Sequence, residues 1–200
     1  MDESATTRME TFSDGIFAIA ATLLVLEISV DTAHTNDLGS ALLHLWPSYL
    51  AYVTSFITIG IIWMNHHTCV ETMARVDRTF LFLNLLLLLT VSFLPFPTRL
   101  VADYLKRPGE QSAVYAYAAT FVVMAIVYNA WWRYASNGRR LIGHTVPESR
   151  INAITRAFNP GIPIYALTLL VAVFSPLASV FLTFAIAAFY LPSAALFAER

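Results

Sequence analysis

Ionisable and hydroxyl side chains cluster at the start of the first long apolar segment of this chain. Arg8 and Asp14 stand at the two ends of Arg8-Met9-Glu10-Thr11-Phe12-Ser13-Asp14, and apolar residues then dominate to about residue 30. A charged side chain that enters a membrane-spanning segment is costly unless it is paired, so Arg8 and Asp14 are candidates for a functional role. They lie six residues apart, too far to pair within one helical turn, so each needs a partner on another helix or another subunit. The alternative is a structural role within the helix itself. Ser13 or Asp14 would cap its start, and the helix dipole would stabilise the negative charge of Asp14.

A second group of candidate side chains follows the second apolar segment. His66 and His67 come three and four residues after Trp63, so one of the two histidines can share a helix face with the tryptophan. A metal site would need a third and a fourth ligand, and only Glu71 lies nearby, so we predict no metal site. Two interpretations stay open for the histidines: a polar network between helices, or ordinary polar residues at a membrane interface.

The sequence contains no arrangement typical of an enzyme. Ser13, Asp14 and His66 are the only candidates for a nucleophile and base at membrane depth, and they match no hydrolase pattern. We therefore predict that the chain is not an enzyme and that it needs no cofactor.

The composition indicates a membrane protein. Hydrophobic residues make up 58% of the 200 residues and charged residues only 12%, whereas about a quarter of the residues in soluble domains are charged. So small a body cannot hide this much apolar surface from water, and lipid is the environment that accommodates it. The first apolar run follows Asp2 and Glu3 rather than a positive segment, so we predict a retained helix instead of a signal peptide. The net charge of -1 gives no indication of a nucleic-acid partner.

Six apolar segments approach the roughly 20 residues that span a bilayer. The predicted fold is an all-α membrane protein with one domain over residues 1–200. Its spans lie at about residues 12–30, 47–64, 80–96, 113–132, 160–174 and 177–197. The connection Ser175-Pro176 is so short that the last two spans should form an antiparallel hairpin, and Asn159-Pro160-Gly161 should break the entry to the fifth. A short amphipathic helix is expected around residues 150–158.

The distribution of arginine and lysine predicts the orientation. Nine arginines fall at the two termini, between the second and third spans, and between the fourth and fifth spans, whereas Arg99, Lys106 and Arg107 are the only basic residues elsewhere. Positive residues favour the cytoplasmic side. Both termini should therefore be cytoplasmic, which requires an even number of spans.

The first span carries an apolar stripe at helical spacing. Its residues, three and four positions apart, are Phe12, Gly15, Ile19, Leu23, Leu26 and Val30, with Thr22 at the edge. Such a stripe is usually a packing or lipid-facing surface. Glu27 near the outer end is either a solvated helix-end charge or, in several copies, an acidic ring that attracts cations.

The motif Arg-x-x-x-Phe-Ser-Asp at residues 8–14, followed by the apolar run at residues 15–28, resembles the prokaryotic branch of the TMEM175 potassium channel family. The resemblance is dense over residues 8–30 and continues more loosely through Trp63-Met64-Asn65-His66-His67. The six-span length agrees with it over the whole chain.

The resemblance implies a homotetramer with a central pore lined by the first helix of each subunit. By position relative to the motif, it implies apolar constriction rings at Ile19, Leu23 and Leu26, and a hydroxyl layer at Thr22 that aids potassium preference. It also implies that Arg8, Asp14, Trp63 and one of His66 and His67 form a polar network that braces the pore helix. The implied function is passive, potassium-selective conduction, with K+ as the permeant ion rather than a cofactor.

The main alternative is a secondary ion transporter of the inner membrane. Transporters of that class often have helices broken at matching positions in two halves. Asn159-Pro160-Gly161 is a break of this kind, but the first half has no counterpart. We therefore predict a multi-pass channel of the cell (plasma) membrane, whose partners are lipid, monovalent cations and further copies of itself.

Overall fold

The computed structural model describes residues 3–30 and 37–198, and these residues form an all-helical bundle. The helices are α1 (Glu3–Leu23), α2 (Leu38–His44), α3 (Trp46–Val70), α4 (Arg78–Phe93), α5 (Pro95–Tyr104), α6 (Glu110–Ser136), α7 (Glu148–Phe158), α8 (Gly161–Phe174) and α9 (Pro176–Ala198). A 3-10 turn, Leu24–Glu27, extends α1, and another, Asn137–Arg139, follows α6.

Five stretches in the described residues are long and apolar enough to cross a membrane. They are Ala5–Glu27, Trp46–Val70, Arg78–Tyr104, Glu110–Arg139 and Glu148–Phe174. Pro176–Pro192 is a shorter apolar helix that continues to Ala198. The predicted all-α membrane fold is confirmed as five apolar spans plus this shorter one, each near a position expected from the sequence.

Prolines explain where the helices differ from the predicted spans. The third span was expected to end near residue 96, but it continues through α5 after a break at Leu94. Pro95 occupies the first turn of α5, where its missing N–H costs little. The break at Asn159-Pro160 is present as predicted, because α7 ends at Phe158 and α8 begins at Gly161.

Two further elements connect the spans. The expected amphipathic helix near residue 150 is present as α7, which buries Ile151 and Ile154. The short helix α2 was not predicted; Asp37 caps it by accepting hydrogen bonds from the backbone N–H groups of Gly39 and Ser40.

The core lies around α6, which packs against α4, α5, α8 and α9. Its large side chains Tyr117, Phe121, Trp131 and Trp132 are almost completely buried. Helix α1 lies on the other side of the bundle and packs against α3 and α4. The expected hairpin is confirmed, since α8 and α9 are separated only by Ser175 and pack together.

Two arginine-rich loops meet at one end of the bundle. The backbone N–H of Ala74 donates to the Leu141 carbonyl, and that of Gly143 donates to the Thr72 carbonyl, each at 2.9 Å. The Arg75 guanidinium donates to the Arg140 carbonyl at 3.1 Å. The loop between α3 and α4 and the loop between α6 and α7 therefore belong to the same end, which we call the arginine-rich end.

Candidate functional site

Helix α1 has one face buried in the subunit and one face exposed. The buried face includes Ser13, Phe17, Ala20 and Leu24. The apolar stripe predicted from the sequence lies on the other face: Phe12, Gly15, Ile19, Leu23 and Leu26 are exposed, and Val30 is half-buried. Ile19 and Leu26 are 57% and 67% exposed, a large fraction for apolar side chains. A further copy of the chain or lipid must cover this face.

Thr22 lies on the exposed face between the apolar side chains. Its hydroxyl donates to the carbonyl of Ile19 in the preceding turn, at 2.9 Å. A hydroxyl has one proton and two acceptor lone pairs. Because the proton is used within the helix, the oxygen of Thr22 is left to act as an acceptor or as a cation ligand.

Asp14 is held by a neighbouring helix. The Nε1–H of Trp63 on α3 donates to Asp14 Oδ1 at 2.9 Å. The Asp14 carboxylate therefore has a partner on another helix, as the cost of placing a charge there requires.

A buried relay of hydrogen bonds joins α1, α4 and α3. Ser13 donates to the Met9 carbonyl of its own helix at 2.8 Å, and Asn84 Nδ2 donates to the Ser13 hydroxyl oxygen at 2.9 Å. The amide oxygen of Asn84 faces His66 Nε2, also at 2.9 Å. Since an amide oxygen only accepts, Nε2 of His66 is the protonated nitrogen.

Aromatic rings enclose His66. Trp131 stacks on the imidazole with the ring centroids 4.9 Å apart, and Phe17 meets it edge-on at 5.4 Å. The second ring nitrogen, Nδ1, is buried and has no hydrogen-bond partner among the described residues. Among the described residues, the hydrogen bond to Asn84 is therefore the polar contact that holds this ring.

His67 forms a separate, more exposed connection. Its Nδ1 lies 2.8 Å from Glu10 Oε1 on α1, and its Nε2 lies 3.5 Å from Glu71. Arg150 of α7 approaches the same Glu71 carboxylate at 3.4 Å. Both histidines thus connect to α1: His66 touches Phe17 and reaches Ser13 through Asn84, and His67 pairs with Glu10. Among the described residues, no hydrogen bond joins either histidine to Asp14.

Arg8 lies outside these contacts. Its side chain is exposed, and within the described ranges no hydrogen bond or ion pair reaches it. The other motif residues, Ser13 and Asp14, are held within the subunit, so a role for Arg8 in the network requires a partner on another copy of the chain.

Glu27 lies at the opposite end of α1 and is paired. Arg99 Nη1 approaches Glu27 Oε2 at 3.5 Å, and Arg99 also pairs with Asp103 at 3.3 Å. The Glu27 side chain is only 19% exposed. The acidic ring stays a prediction, and the positive charge of Arg99 offsets part of the negative charge that such a ring would offer.

Several members of this site were not predicted from the sequence. Asn84 hydrogen-bonds between helices, and its link to the Phe-Ser-Asp motif was not foreseen. The contact of Glu10 with His67 was also missed. The sequence did indicate that Glu10 needs a partner, because it is an acidic residue inside the motif at the entry to an apolar helix.

Comparisons with known proteins identify the family of the chain. Residues 8–95 match the family described as endosomal/lysosomal potassium channel TMEM175. A potassium channel of Chamaesiphon minutus is 42% identical over 94% of this chain and 95% of its own length. The chain belongs to the TMEM175 family.

Two further relatives extend the comparison of this TMEM175 protein. A potassium channel of Streptomyces collinus is 47% identical over 69% of this chain and 68% of its own. The crystal structure of a Chamaesiphon minutus homologue of the lysosomal potassium-selective channel TMEM175 has a TM-score of 0.87 at 41% identity, with 96% of this chain and 99% of that chain covered. The resemblance read from the motif is confirmed. The family consists of ion channels, so the chain is not an enzyme.

Asn84 offers a test of the buried relay. We expect Asn84→Leu to destabilise the protein by about 1 kcal/mol or more, because the Ser13 hydroxyl and the His66 ring lose their shared partner in a buried place. Thermal unfolding of the purified protein in detergent measures the change. Ser92→Leu on the same helix is the control, since Ser92 is exposed and bonds only within α4. Equal unfolding temperatures for Asn84→Leu and the wild type would contradict the relay's role.

Proposed function

We propose that this TMEM175 protein is a homotetrameric, potassium-selective cation channel of the cell membrane, with both termini cytoplasmic. Copies of α1 line its central pore, and the ion passes apolar side chains instead of backbone carbonyls. The observation that supports this best is the two-faced character of α1. One face is anchored by hydrogen bonds to α3 and α4, and the opposite face exposes the apolar stripe with Thr22.

Oligomerisation follows from the geometry of a single subunit. One helix cannot enclose a pore, so the exposed stripe needs copies of itself around a common axis. A cyclic assembly achieves this by presenting the same face of every subunit to the centre. Four copies are the number that the family resemblance implies.

Selectivity in such a pore rests on dehydration. The usual potassium filter replaces the water around the ion with carbonyl oxygens. Rings of Ile19, Leu23 and Leu26 offer no such ligands, so an ion passing them sheds or distorts its water with little compensation. Potassium holds its water less tightly than sodium and therefore loses less on entry. Apolar rings can also close the pore by dewetting.

Thr22 adds oxygen ligands to this pathway. Its proton is committed to the Ile19 carbonyl, so four hydroxyl oxygens would face the axis as acceptors. A partly stripped cation gains from such a ring, which would sharpen the modest preference that dehydration provides.

The polar network keeps the lining in place. Trp63 holds Asp14, Asn84 holds Ser13, and His67 holds Glu10, so three contacts fix the rotation of α1 over its first turns. The relatives at 42% and 47% identity are named as potassium channels, which supports a channel over the alternative of a secondary transporter.

The constriction can be tested by flux measurements. We expect Leu23→Ala and Leu26→Ala to widen the pore, raise sodium flux and lower the potassium-to-sodium ratio by about threefold, a change of under 1 kcal/mol in relative barrier. Potassium and sodium flux into proteoliposomes measure it. Leu89→Ala is the matched control, because Leu89 is an exposed apolar residue on α4. If both α1 variants match Leu89→Ala and the wild type, the pore assignment is wrong.

Thr22 allows a separate test of the hydroxyl ring. Thr22→Val keeps the shape and removes the oxygen, and we expect it to lower the potassium-to-sodium permeability ratio by about threefold, roughly the contribution of one weak hydrogen bond. Thr22→Ser retains the oxygen and should keep the wild-type ratio. Reversal potentials in mixed potassium and sodium solutions give the ratio. An unchanged ratio in Thr22→Val would remove Thr22 from the selectivity mechanism.

Proximity of α1 helices tests the assembly itself. We expect Ile19→Cys to form disulfide-linked dimers under mild oxidation in the membrane, because symmetry brings equivalent α1 positions together near the axis. Leu89→Cys, on an exposed position of α4, should cross-link far less. The native Cys69 is buried and serves as the internal blank. Non-reducing electrophoresis separates the products, and absence of an Ile19→Cys dimer would argue against a central α1.

A further inference from the structure

A cavity of about 100 Å³ lies between α3, α6, α8 and α9 and opens at the subunit surface. Its α3 wall consists of Thr58, Ile61, Ile62 and Asn65. The α3 residues Trp63 and His67, which contact α1, lie on the roughly opposite face of the helix. The cavity is therefore separate from the candidate pore.

Apolar and polar side chains share the lining of the cavity. Phe121 and Met124 supply apolar surface, and the ring of Tyr165 stacks on Phe121 with the centroids 5.3 Å apart. Because α3 and α6 both run toward the arginine-rich end, Asn65 and Asn129 lie nearer to that end than Phe121 and Met124 do. The side of the cavity toward the arginine-rich end therefore carries two amide side chains.

Three polar groups in the lining have unused hydrogen-bonding capacity. They are the amide of Asn65 and the hydroxyls of Tyr165 and Tyr190. Among the described side chains, no hydrogen bond reaches any of these three groups. Polar groups between membrane helices normally find partners, so a ligand with oxygen acceptors suits this part of the wall.

An arginine lies next to the cavity, one helical turn beyond its lining. Arg133 follows the lining residue Asn129 by one helical turn on the same face of α6. Its Nη2 donates to Asn159 at 2.8 Å, and Asn159 directly follows the lining residue Phe158. Asn129 also donates to the Phe158 carbonyl, which fixes this corner.

The Arg133 guanidinium retains donors and charge for a ligand. The side chain is exposed, and within the described part of the chain no carboxylate pairs with it. A guanidinium has five N–H donors, only one of which is used by Asn159. Its planar array of donors suits a phosphate.

We propose that this cavity binds one anionic glycerophospholipid in each subunit. Arg133 contacts the phosphate, and the Asn65 amide and the Tyr190 hydroxyl donate to the ester carbonyls. Part of one acyl chain lies against Phe121 and Met124. A basic pocket between membrane helices at the positively charged side is the setting in which anionic lipid headgroups are recognised.

Native mass spectrometry of the full-length oligomer tests the proposal. The protein is titrated with phosphatidylglycerol and with phosphatidylcholine that carries the same acyl chains. We expect tighter binding of phosphatidylglycerol. Arg133→Gln should weaken its binding by about tenfold, the loss of one charge-assisted hydrogen bond. The binding of phosphatidylcholine should fall less, because the choline cation already offsets the charge of its phosphate.

A second variant addresses the apolar part of the site. Ala125 lines the cavity, so Ala125→Phe fills it and should weaken the binding of both lipids. Two variants serve as matched controls. Arg78→Gln removes an exposed arginine from α4 outside the lining, and Ala130→Phe enlarges an exposed position of α6. Both should bind lipid as the wild type does.

Three outcomes would overturn the proposal. The first is equal binding of phosphatidylglycerol by the wild type, Arg133→Gln and Ala125→Phe. The second is an equal loss in the control variants, which would mean that the effect is general to charge or bulk. The third is displacement of phosphatidylglycerol by soluble glycerol 3-phosphate, since the site would then recognise a free anion without a tail. None of these outcomes depends on ion conduction, so the lipid site and the channel can fail separately.

Discussion

A polar side chain between apolar helices must find its hydrogen-bond partners inside the protein, because lipid offers none. Ser13, Asn84 and His66 meet this requirement together on three different helices. Asn84 would lose its hydrogen bond to Ser13 if α1 turned about its axis, so this contact favours one rotation of α1. That rotation directs Ile19 and Leu26 away from their own subunit. The direction of the exposed stripe on α1 therefore depends on this buried relay.

Helix α3 presents polar side chains on two opposite faces. One face supplies Trp63 and His67 to α1, and the other forms a wall of the cavity with Asn65. A helix that carries polar groups on two faces cannot show a simple apolar stripe. This explains why the functional content of α3 is harder to read from periodicity than that of α1.

The features that were predicted correctly depend on local sequence or on composition. Apolar length gave the spans, the Ser175-Pro176 connection gave the hairpin, and the Phe-Ser-Asp motif gave the family. The charge pattern grouped the loop after α3 with the loop after α6, and backbone hydrogen bonds join those loops in the structure.

The features that were missed depend on partners far apart in the sequence. Glu10 meets His67, and Glu27 meets Arg99, across 57 and 72 positions. Spacing along one helix cannot reveal such pairs. The continuation of the third span as α5 was missed for another reason. The span was expected to end near residue 96, but Pro95 occupies the first turn of a new helix that follows directly.

The 3-10 turn at Leu24–Glu27 changes how the end of α1 presents its side chains. In a continuous α-helix, Leu26 would be rotated by about 60° from Leu23, since each residue turns by about 100°. In a 3-10 turn, side chains three residues apart are eclipsed, and each residue rises by about 2 Å. Leu23 and Leu26 therefore stand almost in line, roughly 6 Å apart along the helix axis. If several copies of α1 surround a symmetry axis as proposed, their Leu23 side chains would form one apolar ring and their Leu26 side chains a second. The two rings would be coaxial and separated by about two water diameters.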